Sequence, residues 1–542
     1  MQTPRQLFTG GPVFTSDPEQ PWAQAVVVED GLIAFVGSAD EARIHAGPGA
    51  TVVDISGGVV LPGFVDAHAH LMMTGDGLLK AQLRRAGDIG AIRELLQEWA
   101  AANPLARRIL GMGWLYSALP GGLPHKQLLD DLFADQPAYL EANDFHATWV
   151  NSAALDELGI TNDTPDPIGG RIVRDKATGE ATGHLLENAS VTMVWPLLAR
   201  VDDATRDGYV SAAITAYNEA GVTTAVDMAL DRHMLASMAR LAERDELTVR
   251  IIGHVLIHRS GDSADELQQV IAASGLASEY ASDVLRVTGI KIIVDGTIDG
   301  CTAAMINPYA NGTNADAIWD LEALVPVVSA ADAAGLQVAL HAIGDQAVRT
   351  AIDAIEAAIG TNGTSGRRHR IEHLEYVDEA DVVRLATLGI TASMQPVHVD
   401  PATLSNWLDM LGDARADRGF AWQEFLEAGT TLAFGTDTPT APHLPLHNMY
   451  IAATRRSPSD PTLAPHRPDF VVALPEAIVH GTRDAAWASF AEDRIGMLRA
   501  GLAADLIVLD GNPFVSGDAS LLDIGIVLTM AGGRIVHPRS QP

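Results

Sequence analysis

Eight apolar runs, each ending in polar residues, constrain the fold of this chain more than any other feature. They are Val59–Asp66, Val222–Asp227, Val249–Ile257, Val287–Asp295, Leu336–Leu340, His369–Glu372, Ile390–Met394 and Thr431–Phe434. Continuous apolar runs of this length suit strands buried on both faces, as in a parallel sheet, and helical patterns lie between several of them. After Ala347, for example, Val348, Ala351, Ile352, Ile355 and Ile359 recur at helical spacing, with Gly360 as the expected stop. Eight strand–helix units predict an α/β fold, a (β/α)8 TIM barrel. A doubly wound open sheet is the alternative, but it does not predict chemistry at so many strand ends.

The two ends of the chain read differently. Gln24–Val28 and Leu32–Val36 flank an Asp30-Gly31 turn signal, and Thr51–Ile55 follows. Asp505–Leu509, Ile526–Met530 and Arg534–His537 look alike. Short strands need a partner sheet to bury a face, so residues 1–59 and 497–542 are expected to join as one small β-sandwich domain. Residues 60–74 and 201–496 would form the barrel. Residues 67–221 separate the first two barrel strands, far more than a strand–helix connection needs. A large inserted subdomain, 75–200, is expected there, covering the active site.

Charge and cysteine content narrow the class of function. Against 36 Lys and Arg stand 69 Asp and Glu, a formal charge of −33, which repels phosphate backbones and anionic lipid. Nucleic-acid and membrane partners are therefore not expected. No apolar run approaches a membrane span, and no secretory signal is visible at the start. The lone Cys301 excludes an internal disulfide and fits a reducing, cytoplasmic setting.

The strongest chemical signal is Asp66-Ala67-His68-Ala69-His70, at the end of the first barrel run. Strand alternation puts His68 and His70 on one side, where both can meet a single ion. Barrel chemistry gathers at the C-terminal ends of strands, and four more candidates occur there in order: Lys291, His341, His373 and Asp437. Singly, each has an ordinary reading. Lys291 could pair with Asp295, His341 could cap a turn, His373 could be a satisfied core histidine and Asp437 a turn residue before Thr438-Pro439. Together they place four histidines, a lysine and an aspartate on one rim.

The chain resembles the amidohydrolase superfamily, in particular its YtcJ-like branch, amidohydrolase family 3, which includes N-substituted formamide deformylases. The resemblance is carried by Leu-Pro-Gly-Phe-Val-Asp-Ala-His-Ala-His (61–70), Trp-Val-Asn-Ser-Ala-Ala-Leu (149–155), Gly-Gly-Arg (169–171), Leu-Leu-Glu-Asn-Ala (185–189), His-Ala-Ile-Gly-Asp (341–345), Arg-Ile-Glu-His (370–373), Phe-Gly-Thr-Asp (434–437) and Gly-Leu-Ala-Ala-Asp-Leu-Ile-Val-Leu-Asp (501–510). It implies that His68 and His70 hold one metal with Asp437, and that His341 and His373 hold a second. Lys291 would be an N6-carboxylysine bridging the two, since cations about 4 Å apart need a shared anionic ligand. One or two Zn2+ per chain are expected, because imidazole and carboxylate suit zinc.

The expected reaction is cleavage of a non-peptide carbon–nitrogen bond in a small, apolar, N-substituted amide, formamide or carbamate. A metal-bound hydroxide would attack the carbonyl carbon, with Asp437 moving the proton to the leaving amine. Lactone or ester hydrolysis, deamination and a non-catalytic metal-binding scaffold are the alternatives. A one-metal deaminase of this superfamily would carry His-x-x-Glu after the fifth strand, where this chain reads His341-Ala342-Ile343-Gly344. Candidate substrate contacts are His146, Trp114, Tyr116, Gln395, His398 and Trp422, with core packing as the competing role for the aromatics. The chain departs from the family pattern at Asp299-Gly300-Cys301-Thr302, where relatives often read Gly-Ser-Arg-Thr. Cys301 is not needed as a nucleophile beside a metal hydroxide. The partner is a small-molecule substrate, with a homodimer left open.

Overall fold

The computed structural model describes residues 5–538, except 144, 146, 168, 169 and 365. His146 therefore lies outside the described residues. The chain forms two compact units: Met1–Leu71 with Ile214–Pro542, and Met72–Ala213.

The first unit contains a barrel. Its eight strands are Phe64–Ala69, Val222–Leu230, Arg250–Leu256, Leu285–Ile293, Gln337–Ala342, Arg370–His373, Thr391–Met394 and Leu432–Phe434. They neighbour one another in chain order, every pair parallel. The seam between the last and first strands is closed by Asp437 N–H to His68 O at 2.7 Å, His70 N–H to Thr438 O at 3.0 Å and a parallel bridge between Ala69 and Thr438. A TIM barrel is thus present, as the eight runs predict. The seam needs Gly435: a Cβ there would stand 2.4 Å from the His68 nitrogen and 2.8 Å from its Cβ.

A second sheet in this unit is built from both ends of the chain. Its order is Arg534–His537, Ile526–Ala531, Leu506–Leu509, Val59–Pro62, Gln6–Phe14, Trp22–Glu29 and Leu32–Gly37, with Thr51–Asp54 also paired to Gln6–Phe14. Phe8, Val26, Ile33, Val60, Leu506 and Met530 share one buried cluster across it. Two features differ from the sequence reading. The apolar run Val59–Asp66 is two strands in two sheets, parted at Gly63, where a Cβ would meet the Thr223 side chain at 2.4 Å. Gln6–Phe14 is a strand that the sequence hides, because Gly10-Gly11-Pro12 interrupts it; the register shifts between Thr9 and Val13.

The helix predicted after Ala347 runs Asp345–Asn362, through Gly360. Gly363, at φ 88°, ends it with its N–H on Ile359 O, so the stop falls on the glycine that leaves the helical backbone.

The second unit has its own six-stranded sheet, ordered Gly170–Arg174, Ala181–Glu187, Ala147–Val150, Ala138–Ala142, Ile109–Trp114, Ala81–Gln82. Helix Ile89–Ala102 packs on it through Ile92 and Leu96, beside Trp114, Leu140 and Trp149. Buried Lys80 is paired with Asp76 at 2.6 Å and Glu141 at 2.7 Å. Among the described residues no helix is long and apolar enough to cross a membrane.

The close approach at the seam yields a test. Gly435→Ala inserts a methyl group against His68 backbone and should cost about 1–3 kcal/mol, as overpacking does. A urea melt with an unshifted midpoint would show that the seam can relax.

Candidate metal centre

Strand alternation separates the first barrel strand into two faces. Val65 and Ala67 join an apolar cluster with Val226, Met228 and Ile252. Asp66, His68 and His70 take the other face. Asp66 is buried and accepts from Thr436 N–H at 2.8 Å, Thr436 hydroxyl at 2.6 Å, Tyr217 hydroxyl at 2.9 Å and His68 N–H at 3.3 Å. Burial raises its pKa to about 6, tempered by those donors. It fastens the first strand to the segment after the eighth.

That fastening sets Asp437 against the two histidines. Its Oδ1 lies 3.3 Å from His68 Nε2 and 3.1 Å from His70 Nε2. Burial alone would raise its pKa, but His68, His70 and His373 hold it well below the usual carboxylate range. Asp437 and His373 both adopt left-handed backbone, at φ 56° and 78°. Such non-glycine conformations cost of order 1–3 kcal/mol and gather at functional sites.

His68 is oriented from behind. Its Nδ1 lies 2.6 Å from Glu372 Oε2. Glu372 is wholly buried; burial would raise its pKa, yet Arg370 and His68 hold it well below normal. Arg370 donates to Glu372 Oε1 at 2.5 Å, Ser393 Oγ at 2.5 Å and Ala67 O at 2.6 Å. An ionised Glu372 accepts the hydrogen bond from Nδ1–H and so keeps the proton on that nitrogen, which leaves a lone pair on Nε2 of His68. Burial, then Lys291, lowers the His68 pKa to about 4 against the pull of Asp437 and Glu372, which keeps the ring neutral.

The fourth, fifth and sixth strands bring the remaining candidates. Lys291 is buried, and burial lowers its pKa to about 8, opposed by Glu372 and Asp437 and reinforced by Arg370. It does not pair with Asp295, the partner its sequence position suggests. Asp295 instead accepts backbone N–H groups of Ala304, Ile343 and Gly344 at 2.9–3.0 Å, and burial raises its pKa to about 7. His341 Nε2 lies 3.3 Å from Gly296 O. His373 stands ring to ring with His341 (4.4 Å) and His68 (4.9 Å), and its Nδ1 lies 2.9 Å from Gln395 Oε1. After the seventh strand, His398 Nδ1 lies 3.0 Å from Glu375 Oε1 and its Nε2 3.5 Å from Asp437 Oδ2. Burial pulls the His398 pKa down, but Glu375 and Asp437 leave it raised.

These residues fit a metal ion. Donor atoms of His68, His373 and Asp437 lie within 4.8 Å of one another, all three side chains buried. The His68 lone pair faces an anionic carboxylate oxygen at 3.3 Å with no hydrogen to share. A cation between them turns that repulsion into attraction. Imidazoles whose outer N–H is held by a carboxylate or carbonyl oxygen are the usual form of metal-bound histidine.

Two of the aromatic candidates are packed inside cores. Trp422 is fully buried under the Arg455 guanidinium, 4.4 Å from its ring, and against Phe434, so it is a core residue. Trp114, equally buried, donates to Leu140 O at 2.8 Å in the core of the second unit; exposed Tyr116 has its OH 3.3 Å from His184 Nε2. Half-buried Cys301 contacts Met410 Sδ, and burial raises its pKa, unlike an activated thiol. Sequence reasoning missed Glu372, Arg370 and Glu375. The spacing Arg370-x-Glu372, two apart on one strand face, was the available signal.

Comparison with known proteins agrees with this geometry. Residues 51–537 match the family described as amidohydrolase family. The putative amidohydrolase YtcJ of Bacillus subtilis is 31% identical over 99% of this chain and 100% of its own length. An N-substituted formamide deformylase of Arthrobacter pascens is 27% identical over 97% of both. The crystal structure of an uncharacterised metal-dependent hydrolase from Pyrococcus furiosus superposes with a TM-score of 0.74 at 26% identity, covering 94% of this chain and 99% of that one. Matched over nearly its whole length, and with a donor-lined barrel rim, the chain belongs to the amidohydrolase family.

Proposed function

We propose that the protein hydrolyses a carbon–nitrogen bond other than a peptide bond, in a small apolar N-substituted amide, formamide or carbamate. The observation that carries this reading is the meeting of His68 Nε2 and His70 Nε2 on one oxygen of Asp437. His68, His70 and Asp437 would hold one Zn2+, and His341 and His373 a second. When bound, such ions supply Lewis acidity toward a carbonyl oxygen and acidify a water to a pKa near 7.

The chain's own residues do the rest. Glu372, fixed by Arg370, keeps the Nε2 of His68 unprotonated. Gln395 does the same for His373. Asp437 Oδ2, opposite the oxygen that meets His68 and His70, takes a proton from the attacking water and returns it to the leaving nitrogen. Lys291 is suited to carbamate formation: its amine adds to carbon dioxide with loss of one proton, and only the neutral amine reacts. Burial lowers its pKa to about 8, so the reactive neutral amine is far more abundant near pH 7 than in an ordinary lysine. As an ammonium, Lys291 balances Arg370, Glu372 and Asp437 to zero net charge; as a carbamate it leaves two negative charges for divalent cations to neutralise.

Deamination is disfavoured by local packing. A Cβ at Gly344, where a deaminase of this superfamily carries glutamate, would lie 2.2 Å from Ala304 O. The substrate class draws on the formamide deformylase likeness. Turnover of N-formyl, N-acetyl, carbamate and lactone substrates by zinc-loaded enzyme tests it; lactonase activity alone would replace the proposal. Metal uptake without turnover of any of these substrates would support a non-catalytic metal-binding scaffold instead.

Two variants probe the roles. Asp437→Asn should lower kcat by about 10²–10⁴-fold with an unchanged circular dichroism spectrum, and near-normal turnover would remove the proton-transfer role. Lys291→Ala should lose metal and activity, both partly restored by millimolar acetate. Two tightly held ions in that variant would show that no bridging carbamate is needed.

A further inference from the structure

One imidazole beyond the expected ligands is arranged as they are. His68 Nδ1 is held by Glu372 at 2.6 Å, His373 Nδ1 by Gln395 at 2.9 Å, and His398 Nδ1 by Glu375 at 3.0 Å. In each case the outer nitrogen is committed and the inner one is left for the site. His398 offers Nε2 to Asp437 Oδ2 at 3.5 Å, whereas His68 and His70 meet Oδ1. The carboxylate is thus divided between two groups of imidazoles.

The remaining geometry points to the ion at His373. The rings of His373 and His398 are parallel within 7°, their centroids 5.8 Å apart. Donor atoms of His373, Glu375 and His398 lie within 4.8 Å of one another, and among the described residues His341 joins neither of the two close donor groups. The turn Pro396–Val399 that carries His398 is pinned: Asn448 Oδ1 accepts from Val397 N–H at 2.8 Å, and Asn448 Nδ2 donates to Gly435 O at 2.7 Å. His398 is therefore tied to the same strand end as Asp437.

We propose that His398 is a further ligand of the ion held at His373, with Glu375 as its positioning carboxylate. The inference rests on the metal-centre reading above and adds a donor from the seventh strand. It replaces the substrate contact that the sequence suggested for this histidine. Removing Glu375 should loosen the ring without removing the donor, so the two residues should differ in degree.

The test uses the full chain, stripped by chelation and titrated with Zn2+ or Co2+ alone in equilibrium dialysis. Wild type should bind two equivalents. Glu375→Gln should weaken the looser one by about 10- to 100-fold, the usual effect of losing a partner behind a ligand. His398→Ala should weaken it further and change the Co2+ visible absorption of that equivalent only. Melting of the metal-free forms checks folding, and His398→Gln serves if the alanine variant does not fold. Variants that melt like wild type, with unchanged affinity and Co2+ spectrum for every equivalent bound, would overturn the proposal. His398 would then keep the substrate-contact role that the sequence suggested. A wild type that binds no metal would instead overturn the metal-centre reading itself.

Discussion

Closure of the barrel at one seam is the constraint on which the site depends. Asp437 N–H bonded to His68 O fixes, through the backbone, the distance between residues 369 positions apart in the chain. Asp66 adds two hydrogen bonds from Thr436 across the same seam and is held in place by the Tyr217 hydroxyl and the His68 N–H. The side chains then need little freedom to bring His68 and His70 onto one carboxylate. Gly435 makes this possible by having no Cβ where the His68 backbone passes.

Burial gives the same site its electrical character. Glu372 and Arg370 are fully buried and would each be costly alone; together they form a hydrogen-bonded pair that also accepts the hydrogen bond of His68 Nδ1–H. Loss of either partner would strand a charge in the interior. The pair is better understood as setting a tautomer than as adding stability, since buried ion pairs contribute little net stability. Lys291 shares this interior and is pushed by burial toward its neutral form.

Much of this was legible in the sequence because it is written in short-range patterns. Seven of the eight runs became barrel strands within a few residues of their predicted ends, and His-x-His followed directly from strand alternation. The eighth, Val59–Asp66, was misread as one strand because apolar residues on both sides of Gly63 look alike, although they serve different sheets. Gln6–Phe14 was hidden by its glycines and proline, which local pattern reads as a turn. Glu375 carries no motif of its own, and Arg370 and Glu372 stand in a motif, Arg-Ile-Glu-His (370–373), that does not say what they do. Their role comes from which histidine they face, a fact of tertiary structure. Trp114 and Trp422 illustrate the converse: aromatic character suggested a pocket, but burial put both in cores.

The two-sheet course of residues 59–69 has a consequence for synthesis. Val59–Pro62 is zipped on one edge to Leu506–Leu509, while Phe64–Ala69 opens the barrel. The first of these meets Gln6–Phe14 on its other edge but cannot complete its pairing until residues 506–509 have been made. The barrel's opening strand thus continues from a strand whose sheet is completed only when residues 506–509 have paired. Non-local pairing of this kind delays completion and leaves an edge exposed to wrong partners.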